Sequence, residues 1–566
     1  MRNAFAYLAA GILATTLLGC SDNDSKKRPQ PPALAQQVTD TTLTSFDGTP
    51  LALTLFQPEL AAGQTAPILL HSHGWGGSRT RNLEGSDLIT TTAHRAWESG
   101  YVVISFDARG FGESGGEANL QDPTLEGQDV RAIIDWAQAT LGAHITQVNG
   151  DPQVGALGVS YAGGMQLVGT LVDPRIDAIV PAATWHDLAT SLVPNGVPKS
   201  LWLSYLYAGG VQTGQLAPWL DELFSDASDG SIEPDKLTRL SESGWSTYCA
   251  GQRADGLGVP PVDAFFIQGI NDTLFNANQA VQNFNCLREA GQDAYLLVAP
   301  GGHLLPELQA GTTGDFQAEV QCADRRYPVS EMIWTFLDGK LRGQQAAVDL
   351  PRTCLVLNDS EGLVAEQVPV GTVPVTLQAD IEVGPPGADA ILAVLGEIDS
   401  AQVQAVVENL PSQWRAPVLD ALLTGSSTPE LDGASPELMQ ALPMELAARL
   451  NAPAAFVPLH TASVSQVLAG LPRLDLQITG DASLDPRFFI GIGVQRATGL
   501  ELLHDQVTPV SGTGAVTLSL SAVSTRLQPG DQVGVLLYRN HPQYAGSYSR
   551  AESLVSILGT VGLPLQ

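Results

Sequence analysis

One serine, one aspartate and one histidine in this 566-residue chain have the local sequence and the order of a nucleophile, an orienting acid and a general base. Ser160 lies in Gly158-Val159-Ser160-Tyr161-Ala162-Gly163-Gly164, directly after the apolar run Val154, Ala156, Leu157. A buried strand that stops at a serine among small residues and runs on into an apolar-periodic helix describes a sharp turn that holds a hydroxyl out for attack. Small neighbours are needed because the backbone bends tightly beneath the nucleophile. Ala162 stands where Gly-x-Ser-x-Gly has its last glycine, and glycine follows one step later. A hydroxyl is a weak nucleophile at neutral pH, so it needs a base, and the base needs an acid to fix its tautomer. On sheets that carry such a turn these partners arrive in the order Ser, acid, His. Ala264 to Gly269 reads as a buried strand that enters a polar turn holding Asp272, the candidate acid. Ala294 to Val298 reads as another, running into Ala299-Pro300-Gly301-Gly302-His303 and the candidate base His303. All three residues fall just past the carboxyl end of a strand, the edge where parallel sheets place their ligands.

Acyl chemistry at a serine also needs donors for the oxyanion. Pro67 to His71 reads as a strand entering Ser72-His73-Gly74-Trp75-Gly76-Gly77, and the expected pair of donors is the backbone N–H of Tyr161 and that of Trp75. His71 and His73 read as loop-packing residues, since no third Cys or Glu ligand stands near them to complete a zinc site. Gly110, Gly112 and Gly115 fit Gly-x-Gly-x-x-Gly, but Asp122-Pro123 intervenes before any helix and Asp135 lies within helical spacing, so a dinucleotide site fails on context. That loop reads as a strand-to-helix connection in which Asp107 and Arg109 pair. No cofactor and no metal are needed for the chemistry.

The elements that must position these residues alternate. Thr41 to Pro58, with Asp47-Gly48 at its centre, reads as a β-hairpin. Strands near 67–71, 101–106, 154–158, 177–182, 264–269 and 294–299 alternate with helical stretches, which predicts a parallel sheet covered on both faces. Residues 185–258 carry only helical spacing, such as Trp219, Leu220, Leu223 and Phe224, and read as a cap over the catalytic edge. The catalytic domain is then 41–184 with 259–345. From 346 to 566 strict alternation, as in Leu474, Leu476, Ile478, predicts an antiparallel β-sandwich, interrupted by a helical insert at about 385–455 that Asp399 helps to cap.

These motifs together resemble the α/β-hydrolases of the X-prolyl dipeptidyl-peptidase and cocaine-esterase-like group. The carriers are Gly-Val-Ser-Tyr-Ala-Gly at 158–163, Asp-Ala-Arg-Gly-Phe-Gly-Glu-Ser at 107–114, Ile-Gln-Gly-Ile-Asn-Asp-Thr-Leu-Phe at 267–275 and Gly-Gly-His at 301–303. The resemblance covers residues 41–345 well and implies a jelly-roll form for the sandwich. It implies a serine hydrolase acting on a small-molecule ester or a peptide, as an acyl esterase or an X-prolyl dipeptidyl peptidase. Members of the group often supply an oxyanion donor from a Tyr side chain where this chain has Trp75, so that donor here is either the Trp75 backbone or its indole N–H. A dipeptidyl peptidase must also capture a free α-amine, and the sequence identifies no carboxylate for that task.

Residues 1–19 have a short cationic start, an apolar segment and a small-residue end, a secretory signal rather than a spanning helix. Leu17-Leu18-Gly19-Cys20 resembles a bacterial lipoprotein box, implying diacylation of Cys20, and Ser21 resembles the signal for the outer membrane. Residues 20–40, with Pro29, Pro31 and Pro32, read as a tether. The four other cysteines, Cys249, Cys286, Cys322 and Cys354, allow two disulfides whose connectivity the spacing leaves open; Cys322 with Cys354 is the favoured pair and would join the catalytic domain to the C-terminal region. With 28 basic and 59 acidic residues the net charge is −31, which disfavours nucleic acid and anionic membrane surfaces as partners. Two functions then compete: a serine hydrolase, and a surface-anchored lipoprotein whose sandwich binds a polymer or partner.

Overall fold

The computed structural model describes residues 30–228, 230–251, 258–304, 316–344, 348–384, 388–396, 398–424, 453–544 and 547–566. The signal segment, Cys20 and the rest of the tether up to residue 29 lie outside the described residues. Among those described, ten strands form one large sheet: β1 (Gln37–Thr44), β2 (Pro50–Gln57), β3 (Ile68–His71), β4 (Val102–Phe106), β5 (Val154–Val159), β6 (Ile176–Ala182), β7 (Asp263–Gly269), β8 (Ala294–Ala299), β9 (Thr353–Asn358) and β10 (Glu361–Ala365). Their order is β1-β2-β4-β3-β5-β6-β7-β8-β9-β10. Neighbours from β4 to β9 are parallel, and only β2 and β10 run against them.

The sheet is parallel because its strands are apolar on both faces and must be covered twice. One face presents Leu70, Ile104, Ala156, Ile179, Phe266 and Leu296 to α2 (Glu126–Leu141), α3 (Tyr161–Val172) and α9 (Ala277–Glu289). The other presents Leu69, Val103, Leu157, Val180, Phe265 and Leu297 to α1 (Leu88–Glu98) and α10 (Val329–Arg342). Between β6 and β7 the cap holds α4 (Leu188–Leu192), α5 (Ser200–Thr213), α6 (Pro218–Ser228), α7 (Pro234–Glu242) and α8 (Ser246–Cys249).

Beyond the large sheet, a sheet with Pro374–Val383, Ser553–Gly562, Arg473–Thr479 and Gly514–Ser519 packs against one built on Ala455–Thr461, Gln532–Tyr538 and Arg487–Arg496. Leu474, Leu476 and Ile478 are buried between exposed neighbours, the alternation a sandwich strand requires. The helices α11 (Ala388–Gly396), α12 (Ser400–Asn409) and α13 (Ser412–Thr424) enclose a small core of their own, and Asp399 with Gln402 forms a capping box at α12. The rest of the expected insert, from 425 to 452, lies outside the described residues.

The structure moves several expected boundaries and one ion pair. The first strand begins at Gln37, so Gln37 to Asp40 belong to the hairpin and not to the tether. The large sheet continues past residue 345 into β9 and β10, because Thr353 to Val356 is buried on both faces and extends the parallel register of β8. Cysteines pair as Cys322–Cys354 and Cys249–Cys286. Since Cys354 is on β9, the first bond ties the separate two-stranded hairpin of Glu319–Cys322 and Arg325–Pro328 to the large sheet instead of joining that sheet to the sandwich. Asp107 and Arg109 do not pair with each other. Arg109 makes a two-pronged contact to Asp129 at 2.7 Å on each side, and Asp107 takes Arg79 while accepting the Glu113 N–H at 2.8 Å to close the glycine loop.

Candidate active site

The turn at Ser160 is sharp in the way its sequence requires. Ser160 has φ 60° and ψ −118°, a backbone state that costs on the order of 1–3 kcal/mol and persists only where the surroundings impose it. Its N–H donates to Ala182 O at 2.9 Å, and its carbonyl accepts from Gly163 N–H at 2.8 Å and Gly164 N–H at 3.0 Å. The displaced glycine is explained by contact. A Cβ on Gly158 would fall 2.5 Å from that of Ala162, so the first glycine makes room for the methyl that replaces the last. A Cβ on Gly164 would fall 2.1 Å from the Trp185 ring.

Asp272, His303 and Ser160 form one hydrogen-bonded line. His303 Nδ1 lies 2.8 Å from Asp272 Oδ2, and His303 Nε2 lies 2.8 Å from Ser160 Oγ. Asp272 is fully buried, and its other oxygen accepts the N–H groups of Leu274 at 3.0 Å and Phe275 at 2.7 Å. The two turns touch at the backbone: a Cβ on Gly269 would lie 2.0 Å from Gly301 O, and one on Gly302 would lie 2.6 Å from Asp272 Cβ. Glycines at these positions are therefore what brings the two strand ends together. Phe275 stands edge-on to the His303 ring at 5.1 Å and shields it from water.

Trp75 and Tyr161, the residues of the expected oxyanion pair, line one pocket together with this serine. The Tyr161 N–H opens α3, where no helical carbonyl can accept it. Trp75 occupies the turn closed by Gly77 N–H to Gly74 O at 3.0 Å, and a Cβ on Gly74 would lie 4.0 Å from that of Ser160. Of the two Trp75 donors, the indole N–H is engaged, donating to Leu206 O at 2.8 Å. The backbone N–H is the one left to point at a ligand. His71 and His73 pack the loop: His71 Nδ1 lies 3.0 Å from Ser105 Oγ, and His73 Nε2 accepts the Ala108 N–H at 3.1 Å. Burial holds both imidazoles below the usual histidine range, His71 at about 4, so they are neutral at pH 7. Among the described residues no group of His, Cys, Asp and Glu could hold a metal.

Two cavities meet at Ser160. A cleft of about 830 Å³ is lined by His303, Thr80, Ser86, Ser330 and Tyr205 among others. A second pocket, of about 40 Å³, shares Ser160, Trp75 and Leu206 with the cleft and is otherwise walled by Leu188, Leu192, Leu203, Leu223, Phe224, Tyr161, Trp185 and Phe275 among others. Trp185 thus lines the smaller pocket, whereas His186 bonds Asn283 at 2.8 Å and Asp187 caps α4.

Sequence reasoning misses three buried groups behind the line. Lys199, just before α5, sends its amine to Thr273 O at 2.8 Å and Leu274 O at 2.9 Å. Gln506, from the sandwich, donates to Asp272 O at 2.9 Å. Glu126, beneath Tyr161, accepts the Asn119 N–H at 2.6 Å, and burial pushes its carboxyl up to about 7. The first two hold the acid's turn by its carbonyls, which carry no sequence signature.

Burial lowers the Lys199 amine to about 8 from 10.5, against the attraction of Asp272. Between those values the unfolded chain binds more protons than the folded one, so Lys199 makes stability rise from about pH 8 to 10.5. Lys199→Met is expected to remove that rise, read by urea unfolding at pH 8 and pH 10. It also frees the turn, and because a displacement of about 1 Å costs about 10²-fold in rate, kcat is expected to fall toward that extent with KM little changed.

Residues 47–305 match the family model described as X-Pro dipeptidyl-peptidase (S15 family). An uncharacterized 31.7 kDa protein of Escherichia coli is 30% identical over 137 residues, which is 24% of this chain and 43% of that protein. The quorum-quenching protein AidA of Acinetobacter baumannii is 29% identical over 134 residues, 23% of this chain and 40% of that protein. The chain thus spans less than half the length of the curated relatives it matches. Two solved structures share the fold across both bodies at 14% identity. An alpha-amino acid ester hydrolase has TM-score 0.57, covering 97% of this chain and 100% of its own, and an aminopeptidase from a Thaumarchaeota archaeon has TM-score 0.59, covering 96% and 99%.

Proposed function

Because residues 47–305 belong to the X-Pro dipeptidyl-peptidase (S15) family of α/β-hydrolases, we propose that this chain is a serine hydrolase cleaving an ester or amide through an acyl-enzyme. The observation that carries the reading is the unbroken line from Ser160 Oγ through His303 to Asp272, with 2.8 Å at each step. Ser160 Oγ bonds to the substrate carbonyl carbon while its proton passes to His303 Nε2. Asp272 holds His303 in the tautomer whose Nε2 is free to accept, and stabilises the imidazolium that forms. The Tyr161 and Trp75 backbone N–H groups take the charge on the carbonyl oxygen, each donor contributing about 3–4 kcal/mol in sites of this kind. Collapse breaks the bond to the leaving oxygen or nitrogen, which receives the proton from His303. Water then repeats the sequence to free the acid and restore Ser160.

A fluorophosphonate probe tests this directly. It is expected to add one phosphonyl group to the peptide that contains Ser160, read by mass spectrometry, and none to Ser160→Ala. An unlabelled native protein under conditions that label a control serine hydrolase would sink the reading.

We also propose that Cys20 is diacylated and holds the enzyme at the outer membrane, on the strength of Leu17-Leu18-Gly19-Cys20 and Ser21. One acyl chain gives only marginal membrane binding, so the two chains on a diacylglyceryl cysteine are what make a stable anchor. Cells fed a palmitate analogue are expected to label the native protein and not Cys20→Ser. An unlabelled native protein ends this proposal and leaves the hydrolase reading untouched.

A further inference from the structure

The two cavities at Ser160 differ in size and lining, and only one of them contains His303. His303 lines the 830 Å³ cleft and is absent from the 40 Å³ pocket. A general acid must reach the atom it protonates within about 3 Å. The leaving group therefore lies in the cleft, on the His303 side, and the acyl chain turns the other way into the pocket.

The pocket limits what the acyl chain can be. A volume of about 40 Å³ matches a few water-sized groups, since one water needs roughly 10–15 Å³ on this measure. Apart from Ser160 and the two backbone N–H groups assigned to the oxyanion, its walls carry no free polar side chain among the described residues. The Trp185 indole N–H donates to Ser243 O at 2.7 Å, the Trp75 indole to Leu206 O at 2.8 Å, and the Tyr161 hydroxyl reaches Glu126 at 3.4 Å. The carboxylates bonded to its walls or to the cap helix beside it are already engaged, Asp272 by the N–H groups of Leu274 and Phe275 and by His303. Glu126 lies behind the Tyr161 ring and is occupied by the Asn119 and Asp122 N–H groups, and Asp187 accepts from Thr190 N–H and Ser241 Oγ. An α-ammonium placed here would be buried without a partner, at a cost of several kcal/mol.

Resting on the serine-hydrolase reading, we propose that the substrate is an ester of a short, uncharged acid of about two to four carbons with a bulky alcohol, and that free α-amino acyl groups are rejected. The cleft supplies room for the alcohol, with the hydroxyls of Thr80, Ser86 and Ser330 and the half-exposed ring of Tyr205 along its wall. This separates the chain from an aminoacyl ester hydrolase or a dipeptidyl peptidase, which would need an anion where this pocket has leucines.

An isomeric pair separates the orientations without changing atoms or reactivity class: naphthylmethyl acetate has the bulk on the alcohol, and methyl naphthylacetate has it on the acid. The first is expected to have a kcat/KM at least about 100-fold higher, the scale on which an apolar pocket discriminates by size. In parallel, the p-nitrophenyl ester of isobutyric acid is expected to exceed that of alanine, its near-isostere with an ammonium, by a similar factor. Equal or reversed preference in either pair overturns the proposal while leaving the serine-hydrolase reading in place. A protein that fails to react with the fluorophosphonate and turns over none of the four loses both. Leu223→Ala widens the pocket on its cap side and is expected to move the optimum to longer acyl chains; an unmoved optimum counts against the pocket as the acyl site.

Discussion

Ser160→Ala is expected to lower kcat on p-nitrophenyl acetate by about 10⁶-fold, the loss seen when a nucleophile acting as part of a unit is removed. The methyl of alanine occupies the position of the serine Cβ, so the backbone at φ 60° is neither relieved nor worsened, and Ser160 N–H still meets Ala182 O at 2.9 Å. What disappears is the oxygen 2.8 Å from His303 Nε2. Thermal unfolding is expected to stay within about 2 °C, since a single hydrogen bond in a partly solvated site contributes about 1 kcal/mol. Adding His303→Ala to Ser160→Ala is expected to cost almost nothing more, because a base without a nucleophile has no proton to take. A residual rate on the order of 10³ over water is expected to survive in both, carried by the Tyr161 and Trp75 donors and by binding. The measurement is a steady-state assay corrected by fluorophosphonate titration for traces of native enzyme. Activity above about 1% in Ser160→Ala removes Ser160 from the role.

The proposed nucleophile, acid and base are legible because each sits within a few residues of a strand end and a glycine. Such signals are local: Gly158 and Gly164 mark the bend at Ser160, Gly269 and Gly301-Gly302 mark the crossing of the other two turns. The parallel sheet is equally legible, since strands buried on both faces are apolar without interruption. What stays hidden acts across distance. Gln506 holds the Asp272 carbonyl from 234 positions away, and nothing in its neighbourhood announces a partner. A lysine is ordinarily exposed, so nothing in the sequence singles out Lys199, which is buried where its amine meets the carbonyls of Thr273 and Leu274. The continuation into β9 and β10 escapes a sequence reading because the change to alternating strands looks like the start of a new body; Thr353 to Val356 pairs with β8 first. The Trp75 donor cannot be chosen from sequence, because the choice depends on Leu206 O, which the cap brings to the indole.

Asp272→Asn is expected to lower kcat by about 10⁴-fold while leaving KM and the fold nearly unchanged. The outcome depends on which way the amide must face. Asp272 Oδ1 accepts two backbone N–H groups, from Leu274 at 3.0 Å and Phe275 at 2.7 Å, and Oδ2 faces His303 Nδ1 at 2.8 Å and Gln268 Nε2 at 3.3 Å. If the asparagine placed its NH₂ toward Leu274 and Phe275, two donors would meet a third in a fully buried place, at about 1–3 kcal/mol for each unsatisfied group. Its carbonyl oxygen therefore keeps the Oδ1 position, and the NH₂ is turned to His303. Nδ1 must then accept, which moves the ring proton to Nε2, the atom that has to take the proton of Ser160. The residue remains in place and loses only the 3.3 Å bond from Gln268 Nε2, which still donates to Phe275 O at 2.6 Å, yet the base is presented in the wrong tautomer. Lys199 and Gln506 strengthen the effect, since by fixing the carbonyls of 272–274 they prevent the turn from rotating to escape it. Two readouts separate this from simple disruption. The ¹⁵N spectrum of His303 is expected to show Nε2 protonated in Asp272→Asn and Nδ1 protonated in the native enzyme, and fluorophosphonate labelling of Ser160 is expected to slow in proportion to kcat. Full activity in Asp272→Asn, or a loss of activity with the Nδ1-protonated tautomer retained, means that Asp272 does not set the base.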